Sequence, residues 1–303
     1  ANPLMNRAVQ GLYAPGSTFK LVTAAAALEE GYLTPETQIL DTGRYTYYDS
    51  PQPQCWLYRQ EGKTHGLETV SEAIADSCNI FFYDAGRRVG IATLGQYAHL
   101  LGLGEKTGIE LAGEQAGVVA GPEYTASVGG TWYEGSVLSA AIGQSDNQFS
   151  PLQLANYIAT LVSGGKHCPA HLLKSVKSYD NSEIIATGST EPLNTMNISD
   201  STLQAVKKGM LGYTTNGGSV AGPFQNCVVS AGAKTGTAQI GGSMKNGVFV
   251  AFAPYDEPEI AVALVLEKAD AGAVLATTAV DIINAYFDRE DTASILPENQ
   301  LIP

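Results

Sequence analysis

Two apolar runs near the C-terminal end, residues 248–253 and 260–266, constrain this chain more than any other stretch. Both have strand length and are rich in Val, Ile, Leu and Phe. Pro254-Tyr255-Asp256-Glu257-Pro258 separates them, and a turn between two such runs predicts a β-hairpin. The rest of the pattern is mainly helical. Pro15-Gly16 marks a turn, after which residues 17–30 read as a helix closed by Gly31. Its run Ala24-Ala25-Ala26-Ala27 suits a central, closely packed position.

Further helices are expected over 68–89, with an interruption near Ser77-Cys78-Asn79, and over 92–101, 151–162, 201–211 and 274–287. Residues 37–66 have no sustained period, 102–130 are glycine-rich, 171–188 suggest a strand pair, and Asn216-Gly217-Gly218 reads as a loop. No repeat or linker divides the chain. The expected fold is one mixed α+β domain over 1–303, with an antiparallel sheet packed between helices.

Composition removes several function classes. Against 17 Lys and Arg stand 30 Asp and Glu, a net charge of −13, so no basic face is available for nucleic acid. Charged residues are 16% and apolar ones 44%, which excludes a disordered acidic tail. No apolar run reaches membrane-spanning length. The first residues, Ala1-Asn2-Pro3-Leu4-Met5, lack an initiator Met and read as a cut point below an upstream anchor. Four cysteines are too few for a disulfide scaffold.

Three short patterns carry chemistry, and each occurs twice. S-x-x-K is found at Ser17-Thr18-Phe19-Lys20 and Ser163-Gly164-Gly165-Lys166. S-x-N is found at Ser77-Cys78-Asn79 and Ser145-Asp146-Asn147, and K-T-G at Lys234-Thr235-Gly236 and Lys106-Thr107-Gly108. About one S-x-x-K is expected by chance in a chain of this size. Its chemical sense is that positions i and i+3 share a helix face, so the Lys20 amine can sit beside the Ser17 hydroxyl as its base. Gly164-Gly165 would break the helix needed at Ser163.

Flanking residues separate the copies. The stretch Gly11-Leu12-Tyr13-Ala14-Pro15-Gly16-Ser17-Thr18-Phe19-Lys20 resembles the nucleophile region of penicillin-binding proteins. Ser77-Cys78-Asn79-Ile80-Phe81-Phe82 resembles their second motif, and Lys234-Thr235-Gly236-Thr237-Ala238-Gln239 their third. The resemblance runs from about residue 5 to 287 and is nearest to class B, monofunctional transpeptidases of the elongation or division type. The second copies resemble other family segments: Lys106-Thr107-Gly108 lies in a glycine-rich loop, and Ser145-Asp146-Asn147 precedes a structural helix.

The resemblance implies a peptidoglycan D,D-transpeptidase that β-lactams acylate at Ser17. Lys20 would be the general base, and Ser77 and Asn79 would relay protons and hold the substrate amide. Lys234 and Thr235 would bind the substrate carboxylate, beside Gly236. The N–H groups of Ser17 and Thr237 would form the oxyanion hole. Catalysis would need no cofactor. Partners would be stem peptides, β-lactams and, through an absent N-terminal region, the cell-wall machinery, at the extracytoplasmic face of the membrane. A D,D-carboxypeptidase, a serine β-lactamase, a β-lactam sensor and a silent cell-wall scaffold are the rivals. No Glu here has Asn four residues later, which lowers the class A β-lactamase reading. Only 16 residues precede Ser17, so the family's N-terminal sheet strands are expected to be missing and the sheet smaller.

Asp41, Cys55, His65 and Cys78 lie between the first two motifs. Two thiolates, an imidazole and a carboxylate suit tetrahedral zinc. Some elongation-type members of the family carry zinc in this region, with His65-Gly66 resembling the histidine position and Cys55 standing where a carboxylate can occur. A Cys55–Cys78 disulfide and two buried free thiols are the other readings. Cys168, Cys227, His99, His167 and His171 read as structural or solvent-facing.

Overall fold

The computed structural model describes residues 3–215, 217–241 and 244–288. Ala1, Asn2 and Asn216, which belong to the expected cut point and loop, lie outside them. The expected hairpin forms, with strands Met244–Ala253 and Ile260–Leu266 paired antiparallel. A third strand, Gly232–Gly241, pairs along the free side of Met244–Ala253, giving a three-stranded sheet with the apolar run at its centre. Lys234-Thr235-Gly236 therefore lies within an edge strand.

Alternation along the central strand divides the interior. Val248, Val250 and Phe252 join one buried cluster, while Phe249, Ala251 and Ala253 join the other. Helix Ala276–Phe287 covers the second side through Ala276, Ala279, Val280 and Ile283. The first side carries helices Lys20–Glu29, Asn79–Val89, Pro151–Val162 and Asp200–Thr214. Helix Lys20–Glu29 is the hub: Ala24 to Ala27 are wholly buried, and their small side chains let neighbours approach from every direction. The sheet packed between helices is thus the observed mixed α+β architecture.

Several boundaries differ from expectation for local reasons. The helix expected over 17–30 opens as a 3-10 turn, Gly16–Phe19, because Pro15 and the left-handed Gly16 set a tight entry before α-helical spacing begins at Lys20. The 68–89 pattern splits into Val70–Ala75 and Asn79–Val89, with Ser77 between them in a left-handed conformation at φ 56°. The irregular 37–66 region holds strand Ile39–Asp41, paired with Gly66–Glu68, and helix Trp56–Glu61. The glycine-rich stretch contains helix Pro122–Ser127, followed outside it by Ser136–Ala141. The strand pair of 171–188 is the exposed hairpin Ser175–Lys177 with Ile184–Thr187. No described helix is long and apolar enough to cross a membrane.

Candidate active site

Ser17 sits in the 3-10 turn, half-buried, and the N–H of Lys20 donates to its carbonyl. Side chains three apart in such a turn eclipse one another, so Ser17 and Lys20 share one face of it. Two contacts fix the turn from outside: Tyr157 of helix Pro151–Val162 donates its hydroxyl to the Thr18 carbonyl at 2.9 Å, and the Gly16 N–H reaches the Gly143 carbonyl at 2.9 Å. Gly143 must be glycine here. Its φ is +73°, and a Cβ would lie 2.1 Å from the Gly16 carbonyl oxygen.

The first two motifs meet at the Lys20 amine. Its Nζ lies 2.7 Å from the Ser77 carbonyl, 2.7 Å from Asn79 Oδ1 and 3.3 Å from Ser77 Oγ. The left-handed turn at Ser77 aims that carbonyl inward, and the Cys78 N–H pins it by donating to the Ala73 carbonyl at 3.0 Å. Such a conformation costs a non-glycine residue on the order of 1 kcal/mol, and the Lys20 and Cys78 bonds offset it. Lys20 is fully buried, and burial pushes its amine down to about 8. A neutral amine still has two N–H donors, enough for the Ser77 and Asn79 oxygens. Its lone pair is then available to a hydroxyl proton.

The third motif closes the site from the sheet side. Gly236 lies so close to the turn before Ser17 that a Cβ there would stand 2.1 Å from the Pro15 carbonyl oxygen. Gln144 donates to the Thr237 carbonyl at 3.0 Å. Lys234 is fully buried, and its Nζ has no hydrogen-bond partner among the described residues. Burial first, and Lys20 second, hold that amine well below the ordinary lysine range. Its Nζ lies 4.1 Å from the centroid of the Tyr213 ring, whose hydroxyl bonds to Thr235 Oγ1. Tyr213, from helix Asp200–Thr214, escaped the sequence reading, as did Gln144. Neither belongs to a motif, although Gln144 adjoins Ser145.

The duplicate motifs do structural work elsewhere. Ser163 donates to the Thr160 and Lys166 carbonyls at a helix end. Asn147 is buried and satisfied by Ala120, Ala140 and Gln144 backbone atoms. Thr107 is buried against Glu114.

Asp41, Cys55, His65 and Cys78 converge behind the second motif, with one ligating atom from each within 4.8 Å of the others. His65 Nδ1 lies 2.7 Å from Asp41 Oδ2 and 3.5 Å from Cys55 Sγ, and Cys78 Sγ lies 3.7 Å from Asp41 Oδ2. All four cysteines are free, which corrects the disulfide alternative. Cys55 and Cys78 instead share a hydrogen bond that draws Cys55 down, while burial drives Cys78 up. Burial alone would lower His65, but the bonds from Cys55 and Asp41 override it and lift it to about 9. The Asn79 N–H donates to Cys55 Sγ at 3.4 Å, which ties this cluster to the Lys20 contact. Glu68 is a further buried acid beside the cluster that the sequence reading missed. Both its oxygens lack hydrogen-bond partners among the described residues, and burial pushes it up to about 7.

A family described as the penicillin binding protein transpeptidase domain matches residues 1–284. The chain is 29% identical to peptidoglycan D,D-transpeptidase MrdA of Escherichia coli K12 over 318 residues, which take in 99% of this chain and 49% of that protein. It is 31% identical over 292 residues to peptidoglycan D,D-transpeptidase PbpA of Mycolicibacterium smegmatis, 91% of this chain and 54% of that one. Pseudomonas aeruginosa PBP2, solved in complex with WCK 5153, superposes with a TM-score of 0.84 at 28% identity, over 97% of this chain and 66% of that one. PBP2 of Helicobacter pylori in its complex with MreC gives 0.80 at 26% identity, over 95% and 52%. The chain spans about half the length of the curated relatives it matches.

Proposed function

Because the chain belongs to the penicillin-binding protein transpeptidase family, as a class B catalytic domain of the elongation type, we propose that it cross-links peptidoglycan stem peptides through an acyl-serine intermediate. Ser17 Oγ attacks the carbonyl of the penultimate D-alanine, and the neutral Lys20 amine takes its proton. The tetrahedral oxyanion faces the N–H groups of Ser17 and Thr237. The terminal D-alanine leaves with a proton passed through Ser77 and Lys20. An amine from a neighbouring stem then attacks the ester, forming the cross-link and freeing Ser17. Lys234 and Thr235 receive the substrate carboxylate. Burial holds that amine below its ordinary range and an arriving carboxylate favours its charged form, so the pair forms most strongly with the anion that the substrate carries.

The observation that carries this reading is the Lys20 amine, buried, lowered to about 8 and held between Ser77 and Asn79, three residues on from Ser17. Incubation with a fluorescent penicillin tests it, with both labelling and release followed. Wild type is labelled stoichiometrically and releases slowly, and Ser17→Ala is not labelled. Absent labelling of folded wild type, or a label that survives Ser17→Ala, refutes it. Fast release would mark a β-lactamase instead. Similarity to proteins named peptidoglycan D,D-transpeptidases supports the extracytoplasmic side of the membrane as the working location. Proteins of that machinery are the partners, in keeping with the H. pylori complex with MreC.

The cluster behind the second motif is proposed to hold a structural zinc ion. Tetrahedral zinc with bonds of about 2.3 Å to sulfur and about 2.0 Å to nitrogen sets those atoms about 3.5 Å apart. Cys55 Sγ and His65 Nδ1 already stand at 3.5 Å. The chemistry supplied would be structural: Cys78 joins Ser77 to Asn79, so a pinned Cys78 fixes both. Protein purified without chelator should carry about one zinc per chain and Cys55→Ser less than half of that. Wild type below about half an equivalent refutes the site.

A further inference from the structure

At the far end of the two helices that meet the site lies an open cleft of about 230 Å³, lined by Tyr47, Tyr48, Arg87, Ile91, Trp132 and Glu134. Its walls are held in place. The Arg87 guanidinium lies 3.9 Å from the Tyr47 ring centroid and donates to the Tyr45 hydroxyl at 2.7 Å and to Asp84 at 3.1 Å. Tyr48 meets Tyr47 edge-on at 5.0 Å and donates to Glu134 at 3.3 Å. Tyr47 is therefore a fixed aromatic ring that is nonetheless 61% exposed. Fixed, exposed aromatic surface around a concavity marks a binding site.

The lining selects the ligand. Flat rings offer apolar faces, while Arg87 offers N–H donors and Glu134 carboxylate acceptors at the rim. A hexopyranose matches both, having C–H faces above and below and hydroxyls around its edge, and one such ring fits the volume. Position supports a particular sugar. Helix Asn79–Val89 starts at the Lys20 contact and carries Arg87 near its other end, about 12 Å further on at 1.5 Å per residue. Helix Ser136–Ala141 runs the opposite way, from Val137 at the cleft to within two residues of Gly143, which holds the nucleophile turn. An extended peptide of four residues spans about 13 Å. We propose that this cleft is a subsite for a sugar ring of the glycan strand that carries the stem peptide. The choice of sugar rests on the transpeptidase reading, whereas the existence of a saccharide site does not.

The test is calorimetric titration with the GlcNAc–MurNAc disaccharide lacking any peptide, a probe that does not need Ser17. Saturable millimolar binding is expected, weakened at least about fivefold in Tyr47→Ala and in Trp132→Ala, each checked for an unchanged thermal midpoint. If Trp132→Ala fails to fold, Tyr47→Ala decides alone, since its ring is already largely exposed. No saturable heat from wild type, or unweakened binding to a folded Tyr47→Ala, overturns the proposal. Penicillin labelling of Ser17 is measured beside it. Disaccharide binding without labelling would keep the cleft and remove the transpeptidase reading, and labelling without disaccharide binding would do the reverse.

Discussion

Replacing Asn79 by aspartate should disable this site in a way that pH repairs. The two side chains are nearly the same size, so the substitution puts a carboxylate oxygen where Asn79 Oδ1 now accepts from Lys20 Nζ at 2.7 Å. In the wild type, burial holds Lys20 at about 8, so about a tenth of it is base at pH 7. At the ordinary lysine value of 10.5 the base fraction would be about 3 in 10,000, so burial supplies roughly a 300-fold advantage in usable base. A carboxylate at hydrogen-bond distance favours the ammonium form and raises such a group by about 1 to 3. Acylation at pH 7 should then fall by about 10- to 1,000-fold. The sign is definite: Lys20 acts when deprotonated, so wild-type acylation rises with pH and levels above about 8. For Asn79→Asp the same rise should be displaced to between about 9 and 11. The assay is the second-order rate of labelling by a fluorescent penicillin from about pH 6 to about pH 10. A loss of equal size at every pH, with the midpoint still near 8, would refute the electrostatic reasoning and leave only a lost amide contact. So would a flat wild-type profile.

Two other substitutions probe the sheet side. Gly236→Ala adds a methyl group to a position with 2.1 Å of clearance from the Pro15 carbonyl oxygen, so it should push the nucleophile turn off the strand. Labelling should fall at least about tenfold and the thermal midpoint should drop by several degrees, as overpacking costs about 1–3 kcal/mol; wild-type labelling kinetics would show that the turn and strand can part freely. Tyr213→Leu removes the ring beside the Lys234 amine, and a desolvated cation–π contact is worth about 2 kcal/mol. The dissociation constant for penicillin should rise about tenfold or more, with the acylation step little changed, whereas Tyr213→Phe keeps the ring and should lose less than about threefold. Equal losses in both variants would locate the effect in the hydroxyl bond to Thr235 instead.

The sequence carried the motifs well and the architecture that joins them poorly. Ser17 with Lys20, Ser77 with Asn79, and Lys234 to Thr237 were readable because each is a short local pattern with distinctive neighbours. The four zinc-type ligands were readable by residue type, and their convergence is what the fold adds. Strands Ile39–Asp41 and Gly66–Glu68 were hidden because three residues are too few to display a period. Strand Gly232–Gly241 was read only as a motif before a hairpin, since its glycines, alanines and lysine are poor strand formers on their own. It is held by pairing with the apolar centre strand. Tyr213 and Glu68 escaped because what distinguishes them is what lies nearby in space. The cleft escaped for the same reason, being drawn from residues 47–48, 87–91 and 132–137.

Gly236 and Pro15 bring the main chain of the strand directly against the main chain of the nucleophile turn, with no side chain between them. The spacing between the Ser17 turn and the Lys234 strand, which the proposed function makes the distance from nucleophile to carboxylate anchor, is therefore written in backbone. A substitution at that seam can only force the two segments apart, and none can shorten the spacing, because there is no side chain there to trim. A lineage under antibiotic selection would thus find this dimension closed to gradual change. It would have to alter reactivity through side chains that do reach the site, such as Asn79, Gln144 or Tyr213, while that spacing stayed fixed.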